Sequence, residues 1–239
     1  MVVATAGTTD TGAVDPLDEI AGISKNYKMW FHVDAAYGGF FIMTSKKELF
    51  KGIEKADSMI IDPHKGLFLP YGVGAVLIKD SAAVLQSNYY TANYMQDGAR
   101  EEMLKSPANV SPELTKHFRG LRVWLPLQMH GIEPFIACLE EKILLVHYFR
   151  NQLADLGFCL GPEPDLSVSY FWYPFETDAD RKNSQLMDEI HADGSVFLSS
   201  SIIDHRFVIR IAILAFRTKK ETVDEAVEMI QRCLAKVNG

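Results

Sequence analysis

Residues 29–35 read Met29-Trp30-Phe31-His32-Val33-Asp34-Ala35, a nearly continuous apolar run with an aspartate close to its end. Such a run is expected of a β-strand that is covered on both faces. Two shorter runs of β type flank it in the chain, at 2–5 and 58–61, and helical patterns fill the segments between them. Because strands and helices alternate, the sequence predicts an α/β fold with a parallel or mixed sheet.

Turn residues and apolar periodicity predict the remaining elements, and they divide the chain into two units. We predict a large domain over residues 1–131 and a small α+β domain over residues 132–239. The interval 93–116 shows no periodicity and is predicted to be a mobile loop of the large domain. The predicted helices cover 16–27, 49–56, 120–130 with an interruption at Pro126, 134–156 ended by Gly157, 183–191 and a final helix from Thr218; the predicted strands cover 2–5, 29–35, 58–61, 73–78, 167–175 and 207–214.

Composition argues against several classes of protein. The chain has 239 residues, of which 48% are hydrophobic, and a net charge of −7, which argues against nucleic acid and anionic membranes as partners. The apolar runs fall short of the roughly 18 residues that a membrane span needs, and the apolar N-terminus is too short for a signal peptide. Three widely spaced cysteines indicate neither a disulfide framework nor a zinc site, so no metal is expected. We therefore expect a cytoplasmic protein.

Asp34 is the first candidate functional residue. A carboxylate at the end of a buried strand is costly unless it has a partner, and a helix cap or a local salt bridge would provide one. Small side chains follow Asp34 and leave room for a flat molecule against the backbone, namely Ala35, Ala36, Gly38 and Gly39. In such a slot the carboxylate could instead pair with a protonated heterocyclic nitrogen.

Lys65 is the second candidate. It follows the predicted strand at 58–61 within the sequence Asp62-Pro63-His64-Lys65-Gly66. A lone lysine directly after a strand is most often the first solvated residue of a loop. Here a proline fixes the turn, and the following glycine permits close approach of another group. A lysine that is partly removed from water in such a turn is a competent amine nucleophile toward an aldehyde.

Asp34 and Lys65 together suggest one cofactor, because pyridoxal phosphate requires a lysine for its Schiff base and an acidic residue on its pyridinium nitrogen. The segment 32–39, with Lys65 placed 31 residues after Asp34, resembles the group II pyridoxal-phosphate-dependent amino-acid decarboxylases. That family includes enzymes for aromatic amino acids, histidine, glutamate and cysteine sulfinate. Further segments match the family in the expected order, at residues 5–9, 118–124 and 207–210.

The resemblance implies roles for individual residues. Lys65 forms the Schiff base with pyridoxal 5'-phosphate, and Asp34 pairs with the pyridine nitrogen. Ala36 packs against the ring face, and Thr9 lies near the phenolic oxygen. His64 lies close to the phosphate and is predicted to be catalytic together with Lys65.

Arg210 corresponds to an arginine that lies near the substrate carboxylate in some members. An arginine on a strand is equally well explained as a structural ion-pair partner. The resemblance therefore makes Arg210 a candidate substrate residue and leaves the structural alternative open.

The resemblance also implies a fold and an assembly. The chain would form the C-terminal part of a fold-type I large domain with a mostly parallel sheet, followed by a small α+β domain. Family members are much longer, so we expect this chain to lack their phosphate-binding loop, the histidine that stacks on the ring and the N-terminal segment that locks the dimer. The full-length form is expected to be a homodimer that decarboxylates a small-molecule amino acid, with aromatic amino acids preferred.

One departure from the family keeps the reaction open. Members commonly carry a tyrosine in the mobile loop, which protonates the substrate Cα after CO2 has left. Residues 95–116 contain no tyrosine, and Tyr94 precedes that stretch. Relatives without that tyrosine can form an aldehyde instead. Three functions therefore stay open: a decarboxylase, an aldehyde synthase on the same scaffold, and a non-catalytic remnant that acts as a dimerisation partner.

Overall fold

The computed structural model describes residues 1–88 and 107–238, which form two four-stranded sheets and seven α-helices. The strands are β1 (Val2–Thr5), β2 (Phe31–Asp34), β3 (Ser58–Ile61), β4 (Ala75–Ile78), β5 (Cys159–Leu160), β6 (Val168–Trp172), β7 (Ser199–Ile203) and β8 (Arg206–Ala212). The helices are α1 (Leu17–Asn26), α2 (Pro63–Gly66), α3 (Ser81–Asn88), α4 (Leu121–His130), α5 (Glu133–Asp155), α6 (Ala179–Asp193) and α7 (Lys220–Asn238). Most of the predicted mobile loop, residues 93–106, lies outside the described residues.

The first sheet has the order β1-β2-β3-β4, and it is mixed, as predicted. β1, β2 and β3 are parallel, and β4 runs antiparallel to β3. The register aligns Thr5 with Asp34 and Asp34 with Ile60. The carboxyl ends of the three parallel strands therefore meet at one edge of the sheet, which we call the carboxyl edge, and the loops that follow these strands lie beside one another there.

Strand β2 is buried on one face only. Phe31 and Val33 are fully buried, whereas His32 is partly exposed and Asp34 is exposed. The prediction that this strand is covered on both faces is therefore wrong for the described residues. The apolar run in the sequence did not separate the two faces, because His32 and Asp34 are its only polar members and the second of them ends the strand.

The predicted helix at 49–56 is also wrong. Two 3-10 turns occupy this region, at Lys47–Phe50 and Ile53–Lys55, and Gly52 lies between them with a φ of +94°. A Cβ atom at this position would lie 2.5 Å from the Cα atom of Asp18 in α1. The close approach of α1 thus fixes a left-handed glycine in the middle of an apolar pattern that resembles a helix.

The second sheet has the order β5-β6-β8-β7, and all of its neighbouring strands are antiparallel. Helices α5, α6 and α7 pack on it and enclose a second hydrophobic core. The apolar stripe of α7 contributes Val223, Ile230 and Leu234 to that core. Strand β7 was not predicted, because its sequence begins with three serines and lacks apolar alternation.

Helix α5 connects the two cores. Leu139 and Ile143 near its start pack into a first hydrophobic core, which also contains the buried side chains of the first sheet. Val146 and Phe149 pack into the second core. The division at residue 131 stays a prediction, since α5 belongs to both cores. The preceding helix α4 continues through Pro126, so the predicted interruption does not occur.

None of the helices in the described part of the chain combines the length and apolarity that a bilayer crossing requires. Residues 1–88 and 107–238 also contain no group of three or more His, Cys, Asp or Glu side chains that could hold a metal ion.

Candidate active site

Three predicted site residues lie at the carboxyl edge of the first sheet. Thr9 belongs to the loop that follows β1, Asp34 is the last residue of β2, and Lys65 lies in α2 directly after β3. Backbone bonds tie the ends of these strands together, since Ala6 N donates to Asp34 O at 2.7 Å and Ala35 N donates to Ile60 O at 3.0 Å. The parallel register therefore brings the residues from three separate segments to one edge.

The carboxylate of Asp34 is accessible. Its Oδ1 atom accepts a hydrogen bond from Ala36 N at 3.1 Å, and the residue is exposed although the strand before it is buried. This local bond turns the side chain back over the first peptide of the following loop. A carboxylate held in this way can accept a further hydrogen bond from a cationic N–H group without being removed from water first.

Two of the small residues after Asp34 serve close packing within the chain. Gly38 and Gly39 are buried, and a Cβ atom at Gly39 would lie 2.9 Å from Cγ2 of Ile61. A Cβ atom at Gly38 would collide with the carbonyl oxygen of Ala6. The glycines therefore let protein segments approach one another, and only Ala36 among the small residues keeps a partly exposed surface beside Asp34.

Lys65 forms an ion pair. Pro63 starts the single turn of α2, and this turn brings Lys65 back toward Asp62, the residue that precedes α2. Nζ of Lys65 therefore lies 3.0 Å from Oδ2 of Asp62. The Lys65 side chain is 42% exposed, whereas that of Asp62 is 14% exposed. The lysine is thus more accessible than expected for a desolvated amine. Sequence reasoning missed Asp62 as its partner, although the i, i+3 spacing across a proline-started turn indicates such a pair.

His64 is fixed by the backbone of the following turn. Its Nδ1 atom donates to the carbonyl oxygen of Val73 at 2.7 Å, because a carbonyl oxygen can only accept. The ring of Tyr71 packs edge-on against the imidazole at a centroid distance of 5.5 Å. Nε2 lies 3.8 Å from Oδ2 of Asp62, which is beyond hydrogen-bond distance. The imidazole therefore keeps Nε2 available next to Lys65.

Arg210 reaches this edge from the second sheet. Its guanidinium donates to the backbone carbonyls of Thr9 and Asp10 and to the hydroxyl of Ser199. The residue is buried. Its bonds place it beside Thr9, whose side chain stays exposed. The structural alternative raised for Arg210 thus has a specific form, in which the guanidinium holds two backbone carbonyls and its Nε also lies 3.8 Å from Oδ1 of Asp10.

A cavity of about 300 Å³ opens beside Lys65. Its other walls are mainly apolar and come from α2, the turn after α2 and the segment that follows β8. The residues that line it are His64, Lys65, Phe68, Leu69, Leu214, Ala215 and Phe216. Lys65 therefore borders a space that fits a small organic molecule with an apolar group.

Tyr37 is a further residue at this edge that sequence reasoning missed. Its phenolic oxygen lies 2.7 Å from Oγ of Ser167 and accepts the Ser167 backbone N–H at 3.0 Å. Burial raises the pKa of Tyr37 to about 12, against the opposing effect of the two Ser167 bonds. The phenol is thus neutral at ordinary pH and joins the loop after β2 to the start of β6.

The residues at the edge fit pyridoxal phosphate in two respects. An accessible carboxylate at Asp34 suits a protonated ring nitrogen, and an accessible amine at Lys65 beside a cavity suits an aldehyde. His64 adds an imidazole next to the amine. The three groups come from two neighbouring turns of one sheet edge, which is where open α/β sheets bind their ligands.

Comparisons with known proteins agree with this geometry. Residues 1–173 match the family model described as the pyridoxal-dependent decarboxylase conserved domain. The chain is 32% identical over 245 aligned residues to an aromatic-L-amino-acid decarboxylase of Bacillus atrophaeus, which covers 98% of this chain and 50% of that protein. It is 30% identical to an L-2,4-diaminobutyrate decarboxylase of Acinetobacter baumannii, with 98% of this chain and 47% of that protein covered.

A solved structure shows the same fold. The crystal structure of Oryza sativa TDC with PLP and tryptamine superposes with a TM-score of 0.93 at 23% identity, and it covers all of this chain and 51% of that one. The chain spans about half the length of the curated relatives that it matches. The fold resemblance extends from the first strand to the last helix, and the match to the family model covers residues 1–173. The chain belongs to the pyridoxal-dependent decarboxylase family.

Proposed function

We propose that this chain supplies the amine and the acidic residue of a pyridoxal-phosphate-dependent carboxy-lyase that removes CO2 from an L-amino acid. The observation that supports the proposal is that Lys65, His64 and Asp34 lie at one carboxyl edge in a chain of the pyridoxal-dependent decarboxylase family. Since the chain spans about half of its relatives, the proposal concerns the polypeptide that also provides the rest of the site.

In this proposal each residue at the edge has one task. Lys65 would hold the cofactor through its amine at the carboxyl edge. Asp34 keeps the ring nitrogen protonated, because a nearby negative charge favours the charged form of a base. When bound, the cofactor accepts the electron pair that is left on Cα as CO2 departs. His64 would form a hydrogen bond through Nε2 close to the phosphate.

Ala36 and Thr9 complete the proposed cofactor contacts. The partly exposed methyl group of Ala36 lies beside Asp34, where it can pack against a ring held by that carboxylate. Thr9 is exposed on the neighbouring loop and can direct its hydroxyl to the phenolic oxygen. Both assignments follow from the family resemblance and from the positions of these residues at the carboxyl edge.

We propose an aromatic amino acid as substrate. The relatives include proteins named for aromatic amino acids and for diaminobutyrate, so family membership leaves the choice between them open. The cavity beside Lys65 favours the first class, because Phe68, Leu69 and Phe216 give it apolar walls. Such walls stabilise a buried aromatic ring, whereas a second ammonium group would lose hydration there without a partner.

We also propose that the protein works as a homodimer. None of the side chains of α4 is buried in the described chain, and Leu121, Trp124 and Met129 expose apolar surface. A helix of this kind requires a cover, and an interface can provide one. Light scattering on the purified protein tests the assembly, and a monomer at micromolar concentration contradicts it.

Cofactor trapping tests the proposal as a whole. The protein is mixed with pyridoxal phosphate, reduced with borohydride and digested, and the modified peptide is identified by mass spectrometry. We expect the label on Lys65, loss of the label in Lys65→Ala and retention in the control Lys79→Ala, since Lys79 donates to Glu54 O away from the edge. Absence of any label on Lys65 favours the non-catalytic dimerisation partner instead.

A product assay separates the two catalytic alternatives. CO2, ammonia and peroxide are measured from one aromatic substrate in the polypeptide that binds the cofactor. A decarboxylase releases CO2 and the amine, whereas an aldehyde synthase consumes O2 and releases CO2, the aldehyde, ammonia and peroxide. The lack of tyrosine in residues 95–116 makes this measurement necessary, because that loop is the family's usual source of the final proton.

A further inference from the structure

The loop after β1 is a compact unit, and we call residues 7–13 the edge loop. An antiparallel bridge between Ala6 and Val14 closes its base. Inside it, Thr8 N donates to Ala13 O and Gly12 N donates to Thr8 O, each at 2.9 Å. The tip, which carries Thr9, projects from the carboxyl edge of the first sheet toward the second sheet.

Arg210 holds this tip from the middle of β8. Its Nε atom donates to Asp10 O at 2.7 Å, and a terminal nitrogen donates to Thr9 O. The other terminal nitrogen donates to Ser199 Oγ at 3.0 Å on the adjacent strand β7. Each of the three guanidinium nitrogens therefore has a protein acceptor, and the side chain is only 10% exposed. A charged donor to a backbone carbonyl at a shielded site is a strong form of hydrogen bond.

The second sheet attaches to the edge loop at further points. Ser201 Oγ donates to Asp10 Oδ1 at 3.2 Å. A Cβ atom at Gly12 would lie 2.9 Å from Cβ of Val168, so the loop backbone presses directly on β6. Asp165 accepts the Val14 N–H at 2.8 Å at the base of the loop. The loop thus belongs mechanically to the second sheet as much as to the first.

We propose that Arg210 is a positioning residue that fixes the edge loop, and with it Thr9, at the site, instead of a partner for the substrate carboxylate. To bind a carboxylate through Nε and the neighbouring terminal nitrogen, Arg210 would have to release the carbonyls of Asp10 and Thr9, and its remaining N–H groups belong to a side chain that is only 10% exposed. Those carbonyls would then lose their partner at a shielded position, which opposes the exchange. This inference rests on the proposed function only in giving Thr9 a ligand to face.

We call the hydrogen bonds from Arg210 to the carbonyls of Thr9 and Asp10 the clamp. Hydrogen exchange on the 239-residue chain without cofactor tests it directly. In Arg210→Gln and Arg210→Lys, we expect the amides of Thr8 and Gly12 to exchange at least about tenfold faster, since each variant removes the forked bond to the loop tip. The matched control is Arg206→Gln on the same strand, where the guanidinium lies over the outer face of Trp172 at 4.3 Å. Unchanged exchange of the loop amides in the Arg210 variants overturns the proposal.

Smaller variants serve if the Arg210 variants do not fold. Ser199→Ala removes the third acceptor of the guanidinium, and Ser201→Ala removes the bond to Asp10. Each is expected to raise exchange of the loop amides about two- to fivefold while leaving the amides of β2 unchanged. If exchange of the loop amides and of the β2 amides changes by the same factor, the clamp has no local effect, and the proposal is contradicted.

Ligand binding to the holoenzyme separates a positioning role from a substrate contact. Dissociation constants of Arg210→Lys are compared for an amino acid and for the amine that lacks its carboxylate. If Arg210 positions the loop, the variant binds both ligands more weakly by the same factor. If Arg210 contacts the substrate carboxylate, the variant binds only the amino acid more weakly, and this outcome overturns the proposal. If the wild-type protein takes up no cofactor, the proposed function fails, and the exchange experiment still decides the clamp.

Discussion

The Nζ atom of Lys65 lies 3.0 Å from Oδ2 of Asp62, three residues earlier in the same turn. The two residues flank the proline and histidine that shape the turn, so the ion pair is built into the segment that carries the proposed catalytic amine. Asp62 is the less exposed partner. A carboxylate in this position pairs with the lysine amine and restrains it, and it also repels a phosphate group that approaches His64.

Replacement of Asp62 by Asn is expected to increase the reactivity of Lys65 toward pyridoxal phosphate. The amide keeps the shape of the side chain but removes the charge that holds the amine against Asp62. A partly exposed pair contributes about 0.2–1 kcal/mol, so we expect the rate of borohydride-trapped labelling at Lys65 to rise by up to about fivefold. Quantitative mass spectrometry at neutral pH measures this rate.

The control for this variant is Asp188→Asn, which makes the same charge change at an exposed position of α6. Labelling of Lys65 should not change there. A decrease in labelling in Asp62→Asn would show that Asp62 assists the amine, as a proton acceptor does, and would contradict the interpretation of the ion pair as restraining.

Asp34→Asn is expected to weaken cofactor binding without weakening the fold. The carboxylate is exposed, and its one hydrogen bond, from Ala36 N, can also be accepted by an amide oxygen. A hydrogen bond to a charged group contributes about 1.5–3 kcal/mol, so the Kd for pyridoxal phosphate should rise about 10- to 100-fold. Fluorescence titration gives the Kd. A large loss of stability in urea would instead assign Asp34 to the fold.

Much of the fold follows from local patterns, and the exceptions have tertiary causes. Strands β1 and β3 begin and end where the sequence predicts, because turn residues bound short apolar runs there. The segment 49–56 has helical periodicity, but contact of Gly52 with α1 forces a left-handed turn. Strand β7 begins with three serines and is paired only through β8, which no local pattern indicates.

The same division holds for the site. Lys65 and Asp34 could be predicted because each stands in a motif at the end of a strand, and the parallel register then brings them to one edge. The bond between Arg210 and Thr9 joins the second sheet to the loop after β1, between residues 201 positions apart. Such a contact depends on how the two sheets pack, so the sequence could offer Arg210 only as a candidate.

Tyr37→Phe is expected to destabilise the protein most at neutral pH. The variant removes an acceptor from the buried Ser167 N–H, which costs about 1–3 kcal/mol. Because burial raises the pKa of Tyr37 to about 12, the unfolded chain loses the phenolic proton first as the pH rises. The stabilising contribution is therefore fully present below pH ~10 and is lost between about pH 10 and 12.

Urea unfolding at several pH values measures this dependence. The difference between wild type and Tyr37→Phe should shrink as the pH rises above about 10. Tyr27→Phe, at an exposed position of the chain, should leave unfolding unchanged at every pH. A wild-type curve that stays parallel to that of Tyr37→Phe up to pH ~11 would show that the phenol is not shielded as proposed.

Gly38→Ala tests whether the glycines after Asp34 serve packing or leave room for a ligand. A Cβ atom at Gly38 would collide with Ala6 O and lie 2.8 Å from Cδ1 of Leu166, so the end of β1 has to move. Overpacking of this kind costs about 1–3 kcal/mol, and the unfolding free energy should fall by at least that amount.

Gly22→Ala is the matched control, since a Cβ atom at Gly22 in α1 meets nothing within 4 Å. A helical glycine costs about 0.5–1 kcal/mol relative to alanine, so this variant should be more stable than wild type. The two substitutions add the same methyl group and should change the unfolding free energy in opposite directions. If Gly38→Ala keeps wild-type stability but loses cofactor binding, the glycine leaves space for the cofactor ring, and the packing explanation is wrong.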